Sequence, residues 1–239
     1  MFQTPIRTIW SYIVEGQFAF AFIEIASLMF ILFICFPVHE SAHAWMASKQ
    51  GDQTARLKGR LTLNPMAHID LLGAVMILLV GVGYAKPVPV NPNNLKNGKK
   101  SFALIALAGP VSNLILGYLS FVLLRLWMLI PSMNSTVSSI VQTFLVECAM
   151  INFSLAVFNL IPIPPLDGSR ILTLILPEKH YWKIMQYERY IMLAVFGLCI
   201  IGAVGWIMKF PVSGLAQLFN FLAGKPLDPS YIKLITLGL

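Results

Sequence analysis

The chain has 239 residues, of which 57% are hydrophobic and only 11% are charged. A soluble domain carries roughly 25% charged residues, so too few charges remain to cover a water-facing surface, and a soluble globular domain is disfavoured. The formal net charge of +7 comes from lysines and arginines in short loops between apolar segments. That distribution is typical of anchors on the cytoplasmic side of a membrane and argues against a nucleic-acid partner.

The apolar segments, taken in chain order, predict several membrane spans. Residues 1–16 are mixed in character and are expected to lie at the membrane interface. Residues 17–47 predict a first long helix, which exceeds the about 20 residues that a hydrocarbon core requires and is too long for the apolar part of a signal peptide. Further long spans are expected at residues 102–130, 140–163 and 191–209.

Two segments between these spans predict other structures. Residues 56–63 alternate polar and apolar side chains, which is the period of a β-strand. A strand there would offer an edge on which an extended substrate could pair, with a plain basic hairpin at the membrane face as the alternative. Residues 69–85 are apolar but short, and indicate a re-entrant or half-spanning helix, with a short tilted span as the alternative. The fold class expected is an all-α polytopic membrane protein, a multi-span helical bundle with a small membrane-associated β-hairpin or strand region.

The peptide His39-Glu40-Ser41-Ala42-His43 is an H-E-x-x-H motif at the end of the first predicted span. Residues four apart lie on one face of a helix, so both imidazoles can reach a single metal ion. Glu40 would then lie beside the metal, where it can take a proton from bound water. Two surface histidines at a helix end are the alternative, but ionisable groups at membrane depth are usually functional.

A catalytic zinc site uses three protein ligands and a water molecule, so one ligand remains to be found. Of the four aspartates, Asp52 and Asp70 lie in or beside the basic loop, and Asp228 lies in the tail. Asp167 follows the third long span in a proline-rich stretch, where irregular backbone at membrane depth implies a protein-lined or wet cavity. Asp167 is therefore the favoured third ligand. An aspartate in a surface turn or at a helix N-cap before Gly168 is the other interpretation.

These motifs closely resemble the site-2 protease family of intramembrane zinc metalloproteases. The resemblance rests on the H-E-x-x-H motif together with the stretch Asn-Leu-Ile-Pro-Ile-Pro-Pro-Leu-Asp-Gly, and it covers about residues 17–170. Other segments resemble the compact bacterial and archaeal branch that has no PDZ or CBS domain. They are Gly51-Asp52 and residues 59–70, 85–91 and 108–113.

The resemblance implies one zinc ion per chain, held by His39, His43 and Asp167, with Glu40 as general base and acid. It implies a zinc metalloendopeptidase that cuts peptide bonds in or near transmembrane segments of substrate proteins. Asn159 would support the site or stabilise the oxyanion, with a helix-packing amide as the alternative. The pattern gives no oligomeric state.

This interpretation divides the chain into an N-terminal interfacial segment at residues 1–16, a membrane-embedded metalloprotease domain at 17–209 and a C-terminal interfacial tail at 210–239. The basic loops predict a site near the cytoplasmic side of the membrane. The resemblance to the bacterial and archaeal branch implies a prokaryotic inner membrane.

Two other functions use the same His and Asp residues. A divalent-metal transporter would place them on a translocation path, and an inactive family member would act as a membrane scaffold. A transporter gains nothing from Glu40 between the ligands, and the chain shows no paired halves with matching broken helices. A scaffold would not need the complete set of metal and base residues.

Overall fold

The computed structural model describes residues 4–130, 134–228 and 232, and every long regular element among them is a helix. Short 3-10 turns occur at Pro65–Ala67, Pro92–Asn94 and Leu172–Leu174. The α-helices are α1 (Pro5–Val14), α2 (Phe18–Phe30), α3 (Phe36–Lys49), α4 (Thr54–Leu57), α5 (Leu71–Val80), α6 (Lys99–Met128), α7 (Ser135–Leu160), α8 (Asp167–Ile171), α9 (Glu178–Met185), α10 (Glu188–Ile200) and α11 (Ala203–Leu222).

Three described helical segments are long and apolar enough to cross a membrane. They are Phe18–Lys49, which joins α2 to α3, and then α6 and α7. Helices α10 and α11 are bent by 80° at a short break and together could form a fourth span. Helix α5 has 10 residues, which is half the length that a bilayer core requires. The all-helical bundle expected from the sequence agrees with these elements.

The predicted strand at residues 56–63 is wrong, because no β-strand occurs among the described residues. The segment begins in the short helix α4, turns at Gly59 with a φ of +67°, and continues as irregular chain. Side-chain burial does not alternate as a strand requires, because four consecutive residues, 56–59, are all exposed. The side chain of Arg60 is buried, and its guanidinium donates to Lys86 O. The backbone N–H of Arg60 donates to Ala55 O, which is a turn contact and not a ladder bond.

A π-helical segment, Ile31–Cys35, connects α2 and α3 within the first span. Pro37 explains its position, because proline has no N–H to donate and its ring clashes with the carbonyl one turn earlier. The wider turn removes that conflict without ending the helix. Such π-segments occur often at functional sites, and this one lies directly before the H-E-x-x-H motif.

Helix α6 lies at the centre of the bundle and packs against both α3 and α7. Gly117 allows the close approach to α7, since a Cβ there would lie 2.5 Å from Cε1 of Phe153. Phe153 is fully buried, and its ring stacks on Phe219 of α11 with centroids 5.3 Å apart. Helix α11 runs across the boundary expected between residues 209 and 210. Residues 229–231 and 233–239 of the expected tail lie outside the described part of the chain.

Candidate metal centre and active site

Helix α3 presents two buried imidazoles one turn apart. The Nε2 atoms of His39 and His43 face each other across 3.0 Å. The Nδ1 of His43 lies 2.7 Å from the carbonyl oxygen of Ile105 on α6, and this carbonyl can only accept a hydrogen bond. Nδ1 therefore carries the proton, which leaves the Nε2 lone pair of His43 available for a metal ion.

Asp167 reaches the same point from the segment that follows α7. Helix α7 ends at Leu160, and a proline-rich turn brings the chain back so that α8 begins at Asp167. Gly168 permits this close return, because a Cβ there would lie 2.3 Å from Leu160 O and 2.5 Å from Ile161 O. The Oδ2 atom of Asp167 consequently lies 3.2 Å from the Nε2 of each histidine.

The three donor atoms fit a tetrahedral cation. Zinc bonds of about 2.0–2.2 Å in tetrahedral geometry place neighbouring ligand atoms about 3.3–3.6 Å apart, so the observed separations of 3.0 to 3.2 Å need to widen by only a few tenths of an ångström. Asp167 Oδ2 is buried and makes no hydrogen bond of its own. In the described part of the chain, His39, His43 and Asp167 form the one group of three metal-ligating side chains that converges in this way.

Helix α6 closes one side of the centre through Gly109. A Cβ at this position would lie 2.4 Å from Nε2 of His43 and 2.5 to 2.6 Å from two ring atoms of His39. Only a hydrogen in place of a side chain leaves room for the imidazoles and for a metal between them. The contact of Gly109 with the two histidines was not predicted from the sequence.

Glu40 is half-buried beside the centre, and its Oε2 accepts a hydrogen bond of 3.1 Å from the backbone N–H of Val88. Val88 belongs to an extended segment, residues 85–91, which we name the strap. The backbone N–H of Lys86 in the strap donates to His68 O over 2.7 Å. Prolines at positions 87 and 89 hold the backbone extended on either side of Val88. The contact between Val88 and Glu40 was not predicted from the sequence.

Asp52 anchors the far end of the strap. Its side chain is fully buried, and Oδ2 accepts a hydrogen bond of 2.7 Å from the backbone N–H of Asn91. Its Oδ1 accepts from Thr54 N, Thr54 Oγ1 and Asn94 Nδ2 at 3.0, 2.5 and 3.0 Å. Burial raises the pKa of Asp52, but these hydrogen bonds to the charged form outweigh it and hold the pKa below its ordinary value.

Other polar residues noted in the sequence have local partners. Asn159 is partly buried near the end of α7, and its Nδ2 donates a hydrogen bond of 2.9 Å to Leu155 O. His68 is fully buried with Nε2 2.7 Å from Thr62 O, while Asp70 caps α5 by accepting from Gly73 N over 3.0 Å. His68 and Asp70 thus have structural contacts in the loop.

A cavity of about 570 Å³ lies between α2, α7 and the α10–α11 pair. Its lining is mostly apolar and extends along the first span from Glu24 and Ser27 to Phe36, one helical turn before Glu40. Glu147 also lines the cavity, and its Oε2 accepts a hydrogen bond of 2.5 Å from Ser27 Oγ. The cavity therefore runs from the middle of the membrane spans towards the metal centre.

The comparisons with known proteins agree with this geometry. The sequence model of peptidase family M50 matches residues 27–130 and 126–202. Bacillus subtilis YwhC, named as a candidate zinc metalloprotease, is 42% identical over 164 residues, which cover 68% of this chain and 75% of YwhC. Mycobacterium tuberculosis Rip2, named in the same way, is 31% identical over 137 residues, or 55% of this chain and 50% of Rip2.

A zinc metalloprotease of Methanocaldococcus jannaschii is 26% identical over 155 residues, which cover 65% of this chain and 36% of that relative. No solved structure matches the chain significantly. The family match extends over more than half of the sequence, and the resemblance noted from the motifs is confirmed. The chain therefore belongs to peptidase family M50, the site-2 protease family, and is an intramembrane zinc metalloprotease.

Proposed function

We propose that this metalloprotease is an endopeptidase that cuts transmembrane segments of other proteins, with one zinc ion held by His39, His43 and Asp167. The observation that carries the proposal is the convergence of two imidazole nitrogens and one carboxylate oxygen within 3.0 to 3.2 Å. When bound, zinc polarises the scissile carbonyl and lowers the pKa of a coordinated water towards about 7.

Glu40 has the position of a general base. It follows His39 directly on α3, and the bond from Val88 N–H engages Oε2, which leaves Oε1 for the attacking water. Glu40 accepts a proton as the water oxygen bonds to the scissile carbonyl carbon. It then delivers that proton to the amide nitrogen as the C–N bond breaks. Asn159 is the candidate donor to the oxyanion, through the amide hydrogen that Leu155 O does not take.

The substrate class follows from the position of the cavity. Its apolar lining within the spans suits a hydrophobic segment, and its end near Phe36 leads towards Glu40. A helical segment hides its peptide bonds in backbone hydrogen bonds, so it must unwind before hydrolysis. We therefore assign the cavity to the transmembrane segment of the substrate protein.

The orientation rests on the basic loops. The loop that follows α3 and the loop that precedes α6 carry most of the lysines and arginines of the first half of the chain. The positive-inside rule places such loops in the cytoplasm. Together with relatives from bacteria and archaea, this supports a prokaryotic cell membrane with the metal centre towards the cytoplasmic side.

The variant Glu40→Gln tests the mechanism. The purified full-length protein is assayed for bound zinc and for cleavage of a transmembrane substrate in the same preparation. We expect zinc content to stay at the wild-type level, while cleavage falls on the order of 10²–10⁴-fold, the usual contribution of general acid–base catalysis. Wild-type turnover by the variant would refute Glu40 as the base. His43→Ala serves as the control and should lose both zinc and cleavage.

A further inference from the structure

Two side chains next to the metal centre have buried polar atoms without a partner. Nδ1 of His39 is buried and makes no hydrogen bond, unlike Nδ1 of His43, which donates to Ile105 O. Asn113 on α6 is 1% exposed, and neither its Nδ2 nor its Oδ1 makes a hydrogen bond. Buried polar groups are nearly always satisfied by a hydrogen-bond partner. These atoms therefore require an explanation.

The directions of α3 and α6 bring the two side chains to neighbouring levels of the contact between these helices. Gly109 packs on His39, where a Cβ would lie 2.5 Å from Cε1, the ring atom bonded to Nδ1. Asn113 lies one turn further along the same face of α6. Helix α3 runs in the opposite direction, since Gln50 after its end accepts from Ser101, His43 contacts Ile105, and Gly109 packs against both histidines. A helical side chain leans towards the N-terminus of its own helix, so the ring of His39 leans towards the level of Asn113.

The chemistry of the two groups is complementary. A histidine that binds metal through Nε2 carries its proton on Nδ1, and that N–H almost always donates to a carboxylate, a carbonyl or a water. The side-chain oxygen of Asn113 is an acceptor of this kind. The two groups make no direct hydrogen bond, and a site with several orphaned polar atoms is suited to a buried water.

We propose that Asn113 is a positioning residue for His39, and that it accepts the Nδ1 proton of His39 through one buried water. The inference rests on the proposed zinc site and adds a group that orients one of its ligands. Asn113 fixes the tautomer and the ring plane of His39 and so strengthens its bond to the metal. It does not touch the substrate or the reacting atoms.

The test measures metal binding by the full-length protein rather than cleavage alone. Zinc dissociation constants are determined by competition with a chelator for the wild type, Asn113→Leu and Asn113→Asp, and the Co²⁺-loaded proteins give absorption spectra. Asn113→Leu keeps the size of the side chain but has no acceptor, and we expect its zinc affinity to fall about 10–100-fold. Asn113→Asp restores an acceptor and should bind zinc at least as tightly as the wild type, with displaced Co²⁺ bands.

Asn152→Leu is the matched control, because Asn152 is also fully buried and also has an orphaned Oδ1, but lies on α7. It should keep the wild-type zinc affinity. The inference would be overturned if Asn113→Leu had the zinc dissociation constant and the Co²⁺ spectrum of the wild type. If that variant does not fold, unchanged Co²⁺ bands in Asn113→Asp overturn it instead. If the wild type itself binds no zinc, the proposed function fails, which is a separate result.

Discussion

The backbone N–H of Val88 donates a hydrogen bond to Oε2 of Glu40 over 3.1 Å, although the two residues are 48 positions apart in the chain. A main-chain donor cannot rotate away as a side chain can, and prolines at positions 87 and 89 restrict this segment further. The strap therefore fixes one oxygen of the Glu40 carboxylate.

The variant Val88→Pro removes this donor and tests the role of the strap. We expect cleavage to fall at least about tenfold, because the free carboxylate no longer holds a single orientation and small misplacements in an active site are costly. Bound zinc should not change, since Val88 contacts no ligand that the structure describes. Val90→Pro is the control, because the N–H of Val90 makes no hydrogen bond among the described residues. Equal activity of the two variants would show that the bond has no catalytic effect.

Gly109→Ala tests the close packing of α6 on the histidines. The added Cβ would lie 2.4 to 2.6 Å from three imidazole atoms, so the rings must move apart or the helices must separate. We expect at least a tenfold weaker zinc affinity and a lower thermal midpoint, since overpacking costs about 1–3 kcal/mol. Gly214→Ala in α11 is the matched control, because nothing lies within 4 Å of a Cβ there. Unchanged zinc affinity in Gly109→Ala would contradict the described geometry.

Asp52→Asn tests the anchor of the strap and should show a defined pH dependence. The new amide nitrogen would face hydrogen-bond donors, so we expect the free energy of unfolding to fall by about 1–3 kcal/mol at pH 7. The pKa of Asp52 is held below its ordinary value, so its stabilising effect is present above the ordinary pKa of about 3.9 and is lost as the pH falls through the folded-state pKa.

The measurement is the difference in thermal midpoint between wild type and Asp52→Asn at pH 7 and at acidic pH. The difference should shrink as the pH falls. Asp70→Asn is the control, because asparagine caps a helix about as well as aspartate and should leave both midpoints close to wild type. If the difference in thermal midpoint between wild type and Asp52→Asn stays constant down to about pH 2, far below the ordinary pKa of an aspartate, the result argues against hydrogen bonds to a charged Asp52.

Ser154→Trp tests the assignment of the cavity to substrate. Ser154 lines the cavity on α7, and the indole would fill part of its 570 Å³. We expect the apparent KM for a transmembrane substrate to rise on the order of tenfold, with normal zinc content. Ile115→Trp provides the control, because Ile115 is 53% exposed on the outer face of α6. A similar effect of both variants would indicate a general disturbance of the bundle.

The sequence predicted the long helices and the convergence of the ligands for physical reasons that are local. Apolar length sets a span, and residues four apart on a helix share a face, so His39 and His43 could be paired without coordinates. Asp167 could be suggested because the prolines before it free backbone groups at membrane depth. In the structure, Asp167 Oδ2 lies 3.2 Å from the Nε2 atom of each histidine, and the role of the three residues as ligands stays a prediction.

Contacts between distant segments could not be derived in the same way. Residues 56–63 have the alternation of a strand, but a strand needs a partner, and the buried guanidinium of Arg60 instead contacts the backbone of the strap. The role of Val88 depends on which group accepts a hydrogen bond from its main-chain N–H. The role of Gly109 depends on which side chains occupy the space that a Cβ would fill. A single sequence carries no periodic signal for either contact.

The π-helical segment at Ile31–Cys35 sets the rotational phase between the two halves of the first span. Each α-helical residue turns the chain by about 100°, so deletion of one residue from this segment would rotate α2 by about that angle around its own axis relative to α3. Ser27 would then turn away from Glu147, while His39 and His43 kept their places. The π-helical segment thus determines which side of α2 faces α7 while His39 and His43 on α3 face Asp167.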